Sequence, residues 1–490
     1  MHSPIITPAQ MRTAEETAFA RGITAEKLME EAGAGIACAI RKFFPRPGKG
    51  IVFAGKGHNA GDALVAARYL ARAGWQIETR LTVPEPELSP LTSEKLAALR
   101  AQKGGSGVFI PTIILDGLLG LGAHPPLREP IRAACREINS LGQSGAHVIA
   151  IDLPTGLDGD SGQADPDCVV ADFTVTVGCA KSGLVADSAL DFVGRLEVVA
   201  LDDLWRDELP LVPEVAIPES LQGLVPRRKY SAYKNQFGRI GIVAGSRGFT
   251  GAALMCSLGA LRAGAGLVEL FVPEEIYEII ATAAAPEVMV KPVRSYSKLL
   301  DEAIDIWALG PGMGQSRATQ ILKLVREARQ PMVIDADGLN ILARQMAVLK
   351  KARGPRLLTP HPGEMKRLFP KRELARAELA RTFCAGYPVT LLLKGSRTIV
   401  AEAGRPLSYN TTGNPGMATG GMGDVLTGVC SGLLGAKLSP NDAARVGAWL
   451  CGRAAELALS RGGASEESLL PGDVLGQLGA AFTELRVPVR

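Results

Sequence analysis

The chain has 490 residues, 47% hydrophobic and 5% aromatic, with a formal net charge of +4. That length exceeds what one core normally serves and implies two or three domains. So slight a charge, without a long Lys/Arg run, gives no electrostatic footprint for nucleic acid. The eight cysteines (38, 135, 168, 179, 256, 384, 430 and 451) are scattered without a CxxC pair. They fit buried thiols in a reducing compartment, not a disulfide framework or a zinc site. The opening Met-His-Ser-Pro-Ile-Ile-Thr-Pro lacks the basic and apolar regions of a signal peptide, and no apolar run reaches transmembrane length. A cytoplasmic protein with no membrane partner is expected.

In chain order, Pro8 opens one helix and 24–44 a longer one. Ile51-Val-Phe-Ala-Gly reads as a short buried strand, followed by a Gly-rich loop and a helix near 63–73. Further strands are predicted at 78–83, 113–116, 148–152, 173–177 and 195–199, giving an α/β pattern with a parallel sheet covered on both faces. The Pro-rich stretch 209–218 and Val225-Pro-Arg-Arg-Lys-Tyr230 place a domain boundary near 205–228. A second α/β pattern starts at Arg239, with strands predicted at 268–272, 306–309, 332–335, 356–359, 390–394 and 398–401, and helices at 425–435 and 440–460.

The most informative stretch is 409–424, Tyr-Asn-Thr-Thr-Gly-Asn-Pro-Gly-Met-Ala-Thr-Gly-Gly-Met-Gly-Asp, ahead of an apolar run. Such a loop lets backbone N–H groups converge at a helix N-terminus and suits a phosphate or developing anion. Asp424 at its edge would repel a phosphate, so it reads as a general base for a hydroxyl attacking one, or as a plain helix cap. Other motifs also end strands, where ligands bind in open parallel sheets. Gly245–Gly251 and Gly310-Pro-Gly-Met-Gly314 are ligand-facing loops or plain turns. Asp335-Ala-Asp-Gly-Leu-Asn340 offers a base, a metal ligand or a cap. His361-Pro-Gly-Glu364 reads as a ligand-facing turn, and Lys394-Gly-Ser-Arg-Thr398 as a solvated or nucleotide-facing hairpin. No Walker A motif is present.

Gly-Gly-Met-Gly-Asp424 with these motifs in this order, over about 225–490, resembles the ADP-dependent NAD(P)H-hydrate dehydratases of ribokinase-like fold. The resemblance implies that Asp424 deprotonates the ring hydroxyl of hydrated NADH or NADPH as it attacks ADP, with Gly421, Met422 and Gly423 as the anion hole. It implies an ADP site of Lys394, Gly395, Ser396, Arg397, Thr398, Asn414, Pro415, Gly416, Met417, Ala418, Thr419, Gly420 and the anion-hole residues, with Mg2+ on the phosphates. Ala252, Ala253, Gly314, His361, Pro362, Gly363, Glu364, Met365, Lys366, Arg367 and Asp424 would face the hydrate. Met422 stands where the family usually has Thr.

In the N-terminal half, Gly55-Lys-Gly-His-Asn-Ala-Gly-Asp62 is G-x-G-x-x-x-G, a phosphate-cradling loop rather than the dinucleotide fingerprint. Asp116, Asp152 and Thr155 end strands, and with Asn59 make a plausible hard-cation site. Lys181 also follows a strand, where it is either solvated or an acid–base partner of Asp152. These pieces over about 5–215 resemble the NAD(P)H-hydrate epimerase domain of the YjeF family, a Rossmann-like three-layer αβα domain. The resemblance implies potassium bound by Asn59, Asp116 and Thr155. It implies substrate contact from His58, Asn59, Ala60, Gly61, Asp62, Gly120, Leu121, Gly122, Ala123, His124, Pro125, Pro126 and Asp152, and acid–base work by Asp152 and Lys181. The family loop usually reads Asn-Asn-Gly-Gly-Asp, and its Gly-Thr-Gly-Leu is Gly120-Leu121-Gly122-Ala123 here. The expectation is thus a two-domain α/β chain, 1–215 an epimerase and 225–490 a dehydratase, forming a homo-oligomer. A non-catalytic N-terminal binding module, or a kinase of a small hydroxylated metabolite, are the alternatives.

Overall fold

The computed structural model describes residues 3–102, 111–122, 124–201, 203–204, 212–371 and 373–487. They form two compact units that divide between Val215 and Ala216.

The N-terminal unit is built on a parallel sheet in the order Gln76–Leu81, Lys49–Ala54, Thr112–Gly117, His147–Ile151, Phe173–Val177, Arg195–Val199. Its strands are runs of Ile and Val because both faces are covered. Successive side chains of one strand point to opposite faces. Val52 joins a core with Ile36, Ile40, Leu64 and Leu70, whereas Ile51 and Phe53 join a second core with Cys135 and Ile138. Three layers result. The strand order reverses between Lys49–Ala54 and Thr112–Gly117, so the loops leaving these two strands flank one crevice.

One boundary differs from the sequence reading in a way that matters. The helix predicted near 63–73 is His58–Arg72. Gly57 caps it with extended backbone, and Ala60 and Gly61 are buried at once. A Cβ at Gly61 would meet Met29 Cε at 2.4 Å, so the chain packs too tightly there for an open loop. Residues 59–62 therefore lie in a first helical turn, with its unpaired N–H groups, rather than in a loop.

In the C-terminal unit the sheet runs Val288–Val293, Leu267–Pro273, Arg239–Val243, Ile306–Leu309, Met332–Ile334, Arg356–Leu358, Thr390–Leu393, all parallel. Thr398–Ala401 and Ser408–Asn410 continue it antiparallel. The order reverses between Arg239–Val243 and Ile306–Leu309, which puts 244–249 and 310–314 on either side of a crevice. The strands Val288–Val293 and Ser408–Asn410 have no counterpart in the sequence reading. The first is a half-exposed edge strand and the second only three residues long, so neither shows a buried apolar run.

Helix Met422–Gly435 starts three residues before its predicted position and is buried from Val425 onward. It lies against helix Thr250–Arg262 through paired glycines. A Cβ at Gly428 would sit 2.0 Å from the Cys256 carbonyl oxygen, and one at Gly259 2.5 Å from that of Val425. This close approach fixes where the N-terminus of Met422–Gly435 points. Among the described residues no helix is long and apolar enough to cross a membrane.

Gly428→Ala is expected to cost about 1–3 kcal/mol through overpacking, seen as a lower thermal midpoint. Gly476→Ala, at an exposed helical site with open space around it, is expected to gain about 0.5–1 kcal/mol. Equal midpoints for the two variants would contradict this account of the helix contact.

Candidate functional site

In the C-terminal unit Gly421 takes the left-handed conformation (φ +95°) that ends the loop and opens helix Met422–Gly435. Met422, Gly423 and Asp424 are its first three residues, so their N–H groups have no helical partner. Asp424 is half-buried. Its carboxyl is pushed up to about 7, first by burial and then by the charge of Asp335 and that of Glu364, with Lys394 opposing. A carboxyl titrating near neutrality can take a proton from a substrate hydroxyl.

Asp335 organises the surroundings. It ends strand Met332–Ile334 and is 1% exposed. Lys394 Nζ donates to its Oδ1 at 2.8 Å and Thr427 Oγ1 to its Oδ2 at 2.9 Å. Burial works against the Lys394 charge, but Asp335 and Glu364 hold it protonated. A Cβ at Gly423 would lie 3.3 Å from Lys394 Nζ and 3.4 Å from Asp335 Oδ2, so glycine there brings the backbone onto this ion pair. Glu364 is buried and accepts from the His361 N–H at 2.8 Å, while the Gly363 N–H donates to His361 Nδ1 at 3.0 Å. The turn is thus a capped helix start, Pro362–Leu368.

The other expected positions fall around this centre unevenly. Gly314 N–H donates to Asp337 at 2.9 Å, tying two strand-end loops together. Ala252 packs near Gly312, and Ala253 is fully buried. His361, Pro362, Lys366 and Arg367 are exposed, whereas Met365 is 1% exposed and turns into the core. In the expected nucleotide segment Arg397 is buried, and Arg376 holds the hairpin by donating to the carbonyls of Lys394 and Arg397. Asn414 Oδ1 accepts from Gly416 N–H at 3.0 Å, fixing the turn through Pro415 and Met417. Ala418, Thr419 and Gly420 are exposed. The sequence reading offered Asp335 as a base, a metal ligand or a cap; in the structure it is a buried partner of Lys394 and Thr427. That reading missed a cavity of about 560 Å³ lined by Gln315, Asn340, Ala343, Arg344 and Arg367. Asn340 and Arg367 of its lining did stand in the motifs read from the sequence, and Gln315 follows Gly314.

In the N-terminal unit Asp116 is fully buried and accepts from Thr155 N–H (2.8 Å), Thr155 Oγ1 (2.7 Å) and Leu118 N–H (3.2 Å). Burial raises its carboxyl to about 6, against those hydrogen bonds. Asn59 donates from Nδ2 to the Leu119 carbonyl at 2.9 Å, but its Oδ1 is buried with no hydrogen-bond partner. An orphaned buried oxygen beside a buried carboxylate and a hydroxyl is a donor set that suits a large monovalent cation.

Asp152 has φ +66° and follows strand His147–Ile151. Its Oδ1 accepts from Thr176 Oγ1 (3.1 Å), Val177 N–H (3.2 Å) and Lys181 Nζ. Lys181 is fully buried, not solvated; Nζ also reaches Thr176 Oγ1 at 3.0 Å and the Val177 carbonyl at 2.9 Å. The Asp62 carboxyl is raised well above its ordinary value, by burial first and then by Asp152 and Glu15. Ala60 is fully buried, so this departure from the family loop falls on the core side, while His58 is exposed. Gly120 lies against Asn59, and Leu121 packs at the edge of the core. His124 Nδ1 pairs with Asp158 at 3.0 Å. Pro125 and Pro126 follow on the same loop, and Ala123 lies outside the described residues.

The family described as NAD(P)H-hydrate dehydratase matches residues 240–474, and that described as YjeF-related protein N-terminus matches residues 25–183. A bifunctional NAD(P)H-hydrate repair enzyme of Gloeobacter violaceus is 37% identical, covering 92% of this chain and 94% of its own. That of Escherichia coli is 36% identical, covering 92% and 89%. The crystal structure of the ADP/ATP-dependent NAD(P)H-hydrate dehydratase of Bacillus subtilis with ATP and Mg2+ is similar to the C-terminal unit. It is 30% identical, covers 56% of this chain and 98% of its own, and has a TM-score of 0.50. On these matches, which span both units in the order their strand-end motifs occur, the chain belongs to the family of bifunctional NAD(P)H-hydrate repair enzymes.

Proposed function

We propose that the C-terminal unit dehydrates the S hydrate of NADH or NADPH at the expense of ADP, and that the N-terminal unit interconverts the R and S hydrates. The observation that carries the first half is Asp424, a carboxyl pushed up to about 7 in the first turn of a helix whose leading N–H groups have no helical partner. Asp424 takes the proton of the ring hydroxyl while that oxygen attacks the terminal phosphorus of ADP. The bond from phosphorus to the AMP oxygen breaks, and AMP leaves. The N–H groups of Met422 and Gly423 meet the charge that gathers on the transferred phosphoryl oxygens. The ring ester then loses phosphate, with a proton from the neighbouring carbon, and the double bond of NAD(P)H returns.

The Gly395–Thr398 hairpin and the Asn414–Gly420 turn hold the nucleotide in this reading. Lys394 acts from beneath the site, because its ammonium is bound to Asp335. Mg2+ arriving with the nucleotide would supply charge neutralisation for its phosphates. Asn59, Asp116 and Thr155 would hold potassium, supported by the orphaned Asn59 oxygen, and so draw together the two loops that flank the crevice.

Restoration of NADH absorbance from the S hydrate is expected with ADP. No return with ADP or ATP refutes the dehydratase, and a stable phosphorylated product with ATP makes the protein a kinase. Asp424→Asn is expected to lose turnover on the order of a thousandfold while still binding nucleotide by calorimetry; full activity would remove Asp424 from the mechanism.

Because the base must be ionised, the dehydration rate is expected to rise with pH through about 7. Asp335→Asn removes a charge that raises Asp424, so the acid limb of kcat should move to lower pH. A shift upward, or none, contradicts the coupling.

Replacing potassium by tetramethylammonium should slow conversion of the R hydrate and leave S-hydrate dehydration unchanged, measured in one protein sample. Equal loss of both activities argues against a cation site confined to the N-terminal unit.

A further inference from the structure

The segment that holds the nucleotide in the reading above has two ends. Gly421, at φ +95°, opens helix Met422–Gly435, and Gly413, at φ +117°, leads into the turn through Pro415 and Met417. Between them Ala418, Thr419 and Gly420 are exposed. The Gly413 end is set on helix Pro440–Ser460, which none of the strand-end motifs includes. Gly413 N–H donates to Glu456 Oε1 at 2.9 Å, and Thr412 Oγ1 lies 3.1 Å from the Trp449 carbonyl oxygen. A Cβ at Gly452 would sit 2.2 Å from Thr412 Oγ1, so the chain lies directly on the helix there.

Glu456 is buried and is itself held in place. Its Oε2 accepts from Nη1 of the fully buried Arg453 at 2.7 Å. Arg453 Nε donates to Glu484 Oε2 at 2.7 Å, and Arg461 Nη2 donates to Glu484 Oε1 at 2.8 Å, which ties in helix Pro471–Arg486. Two acids and two cations balance, so the buried carboxylate of Glu456 is tolerated. One of its oxygens faces the cation, and the other is left for a backbone N–H at the base of the loop. A hydrogen bond to a charged acceptor is stronger than one between neutral groups.

We propose that Glu456 is a positioning residue of the dehydratase site: its carboxylate fixes the Gly413 end of the nucleotide-holding turn and so sets the affinity for ADP. The inference rests on the dehydratase reading above. Asp424 stands on helix Met422–Gly435, beyond the far end of the segment, and does not depend on this bond. Release of Gly413 therefore weakens the hold on ADP and leaves the hydrate and the base in place.

The test is steady-state dehydration of the S hydrate by the full-length protein, read as kcat and as KM for ADP and for the hydrate, in two double variants. Both carry Arg453→Met, so neither leaves a buried cation without its acid. With Glu456→Gln an oxygen remains to accept from Gly413 N–H; with Glu456→Leu none does. KM for ADP should stay within about threefold of wild type in the first double and rise about tenfold above it in the second. The hydrate KM and kcat should be alike in both, and calorimetry with ADP alone should show the same ratio in Kd. Should the Glu456→Leu double not fold, Glu456→Gln alone takes its place. There Arg453 claims the amide oxygen and turns the NH2 group against Gly413 N–H, so KM for ADP should again exceed that of the first double about tenfold. Equal KM for ADP across the pair, or a hydrate KM raised as much as that for ADP, overturns the proposal while the dehydratase reading stands. A wild-type protein that returns no NADH with ADP overturns both.

Discussion

The C-terminal site depends on the buried carboxylate of Asp335. It ends a central strand, and its two oxygens are taken by Lys394 from the loop after Thr390–Leu393 and by Thr427 from helix Met422–Gly435. One buried charge thus ties together three elements that the sheet places side by side. A carboxylate so deep is tolerated because a cation and a hydroxyl satisfy it. Burial raises the Asp424 carboxyl first, and the same Asp335 charge adds to it, bringing it to about 7. Structural anchoring and part of the tuning of the base therefore share one source.

The N-terminal unit solves a related problem with a different arrangement. Lys181 is fully buried and spends its three donors on Asp152, Thr176 and the Val177 carbonyl. The Asp62 carboxyl is raised well above its ordinary value, by burial first and then by Asp152 and Glu15, with Lys181 opposing. At Asp116 three hydrogen bonds and, in the proposed reading, a cation work against burial. Both units thus place unequal carboxyl groups at the C-terminal ends of parallel strands, where the loops leave room for a ligand.

Much of this was legible in the chain. The strands Phe173–Val177, Arg195–Val199, Ile306–Leu309 and Thr398–Ala401 match their predicted bounds, because such strands are short β-branched and apolar runs. The edge strand Val288–Val293 escaped notice, since it is half-exposed and carries Lys and Pro among its apolar residues. Helix starts were read too late at His58 and Met422. Glycines there look like loop residues, yet they are present so that a helix can approach Met29 in one unit and the Asp335–Lys394 pair in the other. Asp424, Asp152, Lys181 and Asp116 were recognisable as strand-end or loop-end polar residues. Asp335 as organiser was not, because nothing local distinguishes it from a helix cap.

By itself the sequence determined the two-unit α/β plan, the strand-end position of the candidate chemistry and the family, because apolar periodicity, glycine placement and motif order are local or ordered along the chain. Tertiary structure alone decided the partners and surroundings of those groups. The burial of Lys181 against Asp152, the pairing of Lys394 with Asp335 and the orphaned oxygen of Asn59 all depend on residues remote in sequence. Electrostatic energies depend on distance and dielectric, and neither exists until the chain has folded.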